Sequence, residues 1–250
     1  MNDKVMNPRT DRVLFAWLLL IGWLGVLAGL PWTLAVLRDY PGTGWWWEAA
    51  ADALFFIPAS AAAGVWLGKK VGVGSGLREL VSGTPGSWKP VCLALVPGTL
   101  VGLTLGVTQL ISQGVMPKDV LIPALNNPNT FERLLRCLSA ALTEEIAFRF
   151  GLMSLFVWII RAIVKKPAIQ TPSLWIGNLL SALVFAAAHF PQLEVQRYGL
   201  SLLIPFVVTS SGVGMIMGWL YMQHGLVSAI AAHFVTDLIA YVIPGLVTAI

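Results

Sequence analysis

The sequence predicts an all-α, polytopic transmembrane helix bundle of about 7–8 spans. Three observations carry this. Of 250 residues, 57% are hydrophobic and only 11% charged, where a soluble domain carries about 25% charged residues. The mean hydropathy is +0.77. Apolar runs long enough to cross a hydrocarbon layer of ~30 Å recur along the whole chain, separated by short polar connections. Such a chain needs no separate soluble core, because its helices pack on one another within lipid.

The runs fall at 13–37, 50–68, 90–112, 134–160, 173–190, 200–222 and 225–249, the second and fifth being the shortest. The first follows a polar stretch, Met1 to Arg12, and is too long for a signal-peptide core, so it reads as a retained span. Lys and Arg alternate between connections. The N-terminal stretch has Lys4, Arg9 and Arg12, the second connection Lys69, Lys70, Arg78 and Lys89, and the fourth Arg161, Lys165 and Lys166. The connections between them hold Arg38, Asp39, Glu48 and Asp52, then Lys118, Asp119 and Glu132. This pattern expects the N-terminus and the even-numbered connections in the cytoplasm of an integral, multi-pass protein of a prokaryotic cytoplasmic membrane. Trp45, Trp46 and Trp47 suit an interfacial anchor on the opposite side. The net charge of +4 is a loop-borne topology signal rather than a nucleic-acid surface.

Gly25-x-x-x-Gly29, Gly98-x-x-x-Gly102-x-x-x-Gly106 and Gly214-x-x-x-Gly218 set small residues on one helix face and expect close helix packing. Cys92 and Cys137 lie singly in apolar runs and read as packing residues, neither disulfide nor zinc ligands. Pro167, Pro172 and Pro191 mark the ends of the fourth and fifth spans.

The chemistry-bearing residues are few. Glu144-Glu145-Ile-Ala-Phe-Arg149 places three charges in a run otherwise fit for lipid, and an ionisable residue at that depth is a functional hypothesis by default. Glu144 lies eight residues after Arg136, about 12 Å along a helix. Glu145 and Arg149, at i and i+4, can pair on one face. Glu144 is turned about 100° away, which leaves it unpaired and able to act as a general base. In later spans Phe185 precedes His189 by one turn, and His233 precedes Asp237 by one turn. Asp237 could fix the tautomer of His233. Each feature alone also fits bundle packing, with Phe185 as core and His189 as a helix-end residue. His224 sits in a short Gln-His-Gly turn and reads as solvated.

Other intramembrane hydrolytic schemes lack their residues. There is no His-Glu-x-x-His. Asp237 is the only aspartate well inside a confident span, and Ser210 and Ser211 have no Gly-x-Ser-x-Gly setting. Carboxylates and two histidines remain. They suit a Glu-activated water with imidazole oxyanion support, or a metal-bound water.

Glu144-Glu145-x-x-x-Arg149, Phe185-x-x-x-His189 and His233-x-x-x-Asp237 together resemble the ordered motifs of the CPBP family, the CAAX prenyl proteases and bacteriocin-processing enzymes also called Abi. The resemblance covers about residues 134–240. It divides the chain into motif-free transmembrane helices over 1–130 and a catalytic transmembrane core over 131–250. It implies an intramembrane endopeptidase in which Glu144 activates water, His189, His233 and Asp237 complete the catalytic site, and Glu145, Arg149 and Phe185 support it. The family accepts Asn or Asp at the position of Asp237. An ionised Asp cannot donate to an oxyanion as Asn can. So Asp237 is protonated, orients His233 or ligates a metal, and a Zn²⁺ on His189, His233 and Asp237 stays open. The implied partners are the bilayer and a peptide or protein substrate, lipidated or membrane-anchored. Rival readings are an idle membrane scaffold or immunity protein and an ion-coupled transporter.

One expectation is awkward. Helix rise from the drawn span limits sets His189 about 10 Å nearer the non-cytoplasmic face than Glu144 and His233.

Overall fold

The computed structural model describes residues 8–39, 45–73, 88–115, 129–189 and 200–247, all of them helical or in short connections. Lys4, Arg78, Lys118, Asp119 and Pro191 lie outside these residues. Among the described residues, six helices are long and apolar enough to cross a membrane, and a seventh, shorter apolar helix follows. We number them α1 (Pro8–Asp39), α2 (Ala49–Val71), α3 (Lys89–Val115), α4 (Thr130–Val164), α5 (Pro167–Ala188), α6 (Leu200–His224) and α7 (Leu226–Val242). The chain is thus an all-helical, multi-pass membrane protein.

Two polar ties gather the basic ends of the helices. Lys69 at the end of α2 contacts the buried Asp11 at the start of α1, Nζ to Oδ2 2.9 Å. Arg161 near the end of α4 donates to the carbonyls of Val71 (2.8 Å) and Gln170 (2.7 Å) and to Ser173 Oγ (2.8 Å). The start of α1, the ends of α2 and α4 and the start of α5 therefore share one end of the bundle, as the alternation of basic connections requires.

The limits of α4 and α5 differ from the sequence expectation, for local reasons. Asn129 caps α4: its side chain accepts from the Glu132 N–H at 2.9 Å, while Glu132 Oε2 accepts from the Asn129 N–H at 3.3 Å. This capping box starts the helix at Thr130 and explains Glu132, which had read as a loop charge. At the other end Lys165 closes α4 with φ 50°, its N–H donating to the Arg161 carbonyl at 3.2 Å. Pro167 then opens α5 at once through a 3-10 turn. Pro suits the first turn because it has no N–H to leave unsatisfied.

Leu14, Leu18, Ile57, Ile146, Phe150, Met153, Tyr221 and Leu226 form the main packed core. Leu27, Leu54, Leu100, Leu103, Ile163 and Val208 are exposed, and this surface faces lipid. Cys137 is buried, but Cys92 is exposed on α3. The packing expectation for Cys92 is corrected: in lipid an apolar neighbourhood does not imply burial.

The glycine stripes fasten the helices that carry the motifs. A Cβ on Gly25 would meet Thr143 and Leu142 at about 3 Å, so α1 lies hard against α4 just before Glu144. On Gly98 and Gly102 it would strike the backbone of Ala232 and Thr236, so α3 touches α7 on either side of His233. Thr236 Oγ1 donates to the Gly98 carbonyl at 2.9 Å across this contact. Gly214 on α6 packs on Ala182 of α5 in the same way.

Candidate active site

α4 is not one uniform helix. It is α-helical over Thr130–Glu144, π-helical over Glu145–Met153 and α-helical again over Ser154–Val164. π-Helical stretches also occur at Asp52–Phe56 and Gly64–Gly68 in α2 and at Leu238–Val242 in α7, so widening alone does not mark a site. In α4 the change of register falls between the two glutamates. Within the widened stretch the Phe148 carbonyl accepts from Ser181 Oγ of α5 at 2.6 Å.

The paired expectation for Glu145 holds. Its Oε2 lies 3.4 Å from Arg149 Nε, with the two side chains 0% and 2% exposed. Yet Glu145 also reaches α7, where its Oε1 is 2.7 Å from Nδ1 of His233. As a carboxylate Glu145 accepts, so His233 Nδ1 donates. This corrects the expected tautomer partner. Asp237 Oδ2 stands 3.5 Å from the other ring nitrogen, Nε2, beyond good hydrogen-bonding geometry. The cause is position: one turn along the same helix, Asp237 reaches the outer edge of the ring, while Glu145 meets its inner edge from α4.

Glu144 is not unpaired either. Its Oε1 lies 3.6 Å from Arg136 Nη2 and its Oε2 lies 3.8 Å from His233 Nε2. His233 thus stands between the two glutamates, one at each ring nitrogen. The sequence marked Arg136 as the edge of the span and missed its reach. The signal was the Arg136–Ala140–Glu144 spacing, where a small, buried residue leaves the face clear between two long side chains.

Phe185 joins the halves of the site. Its ring packs beneath the Arg149 guanidinium (4.5 Å), edge-on to Phe148 (5.3 Å) and to His233 (6.4 Å), and 4.7 Å from His189. Arg149 Nη2 also reaches the Gly214 carbonyl at 3.5 Å. His189 caps α5, and its Nδ1 lies 2.8 Å from the Phe185 carbonyl. A carbonyl only accepts, so Nδ1 carries the proton and Nε2 is turned elsewhere. The groups acting electrostatically on Glu144 are His189, His233, Arg136 and Arg149.

The expected 10 Å mismatch in depth disappears. α5 begins at Pro167 instead of 173, so Glu144 and His189 are each about twenty residues from the tight connection between antiparallel helices. Glu144, Glu145, Arg149, Phe185, His189, His233 and Asp237 come together. His224 does not join them; it lies at the end of α6, half-buried, 6.2 Å from the Trp219 ring. Among the described residues no three His, Cys, Asp or Glu side chains are disposed to hold a metal ion. His189, His233 and Asp237 do not form such a group.

Fold and cluster define a multi-pass membrane protein with a buried carboxylate–imidazole–arginine network where α4, α5 and α7 meet. Residues 126–239, which contain every residue of the network, match the family model described as type II CAAX prenyl endopeptidase Rce1-like. That model describes the CPBP/Abi family of CAAX proteases, to which this segment of the chain is similar. No curated protein and no solved structure matches it.

Proposed function

We propose that the protein is an intramembrane endopeptidase that hydrolyses a peptide bond near the membrane, with Glu144 as general base. The observation that carries this is the disposition of Glu144: one oxygen held toward Arg136 and the other facing His233 Nε2 at 3.8 Å. A water flanking that gap reaches hydrogen-bond distance of both groups. Glu144 takes its proton as the oxygen attacks the scissile carbonyl carbon, and returns it to the amine nitrogen as the C–N bond breaks. His189 and His233, each with Nδ1 occupied, present Nε2 to the site, and in the imidazolium form each donates to the tetrahedral oxyanion. Asp237 and Glu145 flank His233, and Arg149 and Phe185 brace them. The substrate is a membrane-anchored or lipidated peptide or protein, and residues 131–250 supply the catalytic core. The N-terminus faces the cytoplasm.

The test compares peptides released from membranes bearing wild type and Glu144→Gln by mass spectrometry. A peptide lost in the variant, with the protein still inserted and folded, is the expected result. An unchanged peptide set refutes the reading.

A further inference from the structure

We infer that Arg136 is a positioning residue for Glu144, a role that rests on the reading of Glu144 as general base. The two side chains leave α4 eight residues apart, a rise of about 12 Å. Helical side chains lean toward the N-terminus, so Glu144 leans toward Arg136, but Arg136 must extend against its own lean to come within 3.6 Å. The buried Ala140 lies midway along the same stripe, and a longer side chain there would stand between them. Both partners belong to the site's rim, with Arg136 30% and Glu144 15% exposed.

The geometry gives Arg136 a task that Arg149 does not share. Arg149 is committed to Glu145, the Phe185 ring and the Gly214 carbonyl. Arg136 engages Oε1 of Glu144, and this turns Oε2 toward His233 Nε2. A free glutamate has three rotatable side-chain bonds. With one oxygen held, the remaining oxygen stays on the side where the attacking water and the imidazole meet. Losing that restraint misplaces the base without removing it, and misplacement of a reacting group by about 1 Å costs about 10²-fold in rate. Such a loss falls on kcat, because binding of the remote parts of the substrate is untouched. Lys at 136 supplies charge without the planar fork and restores part of the effect.

The experiment has two arms. In proteoliposomes of phosphatidylethanolamine and phosphatidylglycerol, cleavage of a farnesylated peptide ending in a CAAX sequence is followed for wild type, Glu144→Gln, Arg136→Gln and Arg136→Lys. Arg136→Gln is expected to lower kcat about 10²-fold with KM unchanged, Arg136→Lys to lie between, and Glu144→Gln to show no turnover. The second arm reads the contact without a substrate. In protein with ¹³C-labelled glutamate, the infrared carboxylate band that vanishes in Glu144→Gln should shift in Arg136→Gln and shift less in Arg136→Lys. A wild-type kcat in Arg136→Gln, or an unshifted band, overturns the role of Arg136 while leaving Glu144 as base. Turnover by Glu144→Gln overturns the underlying reading instead. A wild type that leaves the peptide intact overturns only the farnesylated CAAX peptide as substrate, and the infrared arm then decides the contact by itself.

Discussion

Replacing Arg149 with Met leaves Glu145 as a buried carboxylate without its cation. Both side chains are essentially inaccessible, 2% and 0% exposed, and their contact of 3.4 Å is not screened by water. Breaking a buried pair by removing one partner costs about 3–5 kcal/mol, because the remaining charge is uncompensated. The pair is also imperfect: among the described residues, Glu145 Oε2 and Arg149 Nη1 find no hydrogen-bond partner. Removing both charges should therefore cost far less than removing one. The double variant Glu145→Gln/Arg149→Met keeps an acceptor for His233 Nδ1 and fills the space over the Phe185 ring with an apolar chain. We expect it to be more stable than Arg149→Met, with a coupling energy on the order of 2–3 kcal/mol. Equilibrium unfolding in mixed micelles, followed by tryptophan fluorescence, measures the four corners of this cycle. If the double variant loses the sum of the two single losses to within about 0.5 kcal/mol, the charges are not coupled and the account of the network fails.

Asp237→Asn should keep turnover within about tenfold of wild type, whereas His233→Ala should lose about 10²–10⁴-fold, because Glu145 and not Asp237 holds Nδ1; comparable losses in peptide-release assays would return the tautomer role to Asp237. Gly102→Leu drives a side chain into the Thr236 backbone and Ile239, and should cost about 1–3 kcal/mol as overpacking, read as a lower unfolding midpoint with the far-ultraviolet helix signal retained. A reporter inserted after Lys166 should report the cytoplasm and one beside Trp47 the opposite side, and the reverse assignment would invalidate the orientation drawn from basic connections.

Much of the architecture was legible because lipid imposes a simple rule on long apolar runs. Glycine spacing identified real contact faces at Gly25, Gly98 and Gly214, since close approach needs small residues wherever helices touch. The members of the site were legible because charges are scarce in these spans, so each one stands out. Their pairings were not. Periodicity within one helix paired Glu145 with Arg149 and His233 with Asp237, but it carries no information on what the neighbouring helix presents. The Glu145–His233 hydrogen bond crosses from α4 to α7, 88 residues apart. The start of α5 was misplaced because Pro172 read as the end of a connection, whereas Lys165 had already closed α4 and Pro167 opens α5. Cys92 was misread because hydropathy is the same on a face that meets protein and one that meets lipid.

The π-helical stretch makes chain length itself a component of the site. A residue removed between Ile146 and Met153 would allow that stretch to relax to α-helical register, since such segments hold one residue more than the α ladder needs. The flanking segments Thr130–Glu144 and Ser154–Val164 would keep their mutual register, but a loss between Glu145 and Arg149 would set those partners three residues apart instead of four and move the Phe148 carbonyl away from Ser181. No side chain of the network need be altered for the network to be dismantled. A scan of substitutions preserves length and cannot uncover this dependence, whereas a walk of single-residue deletions along α4 would locate the boundaries of the catalytic register directly.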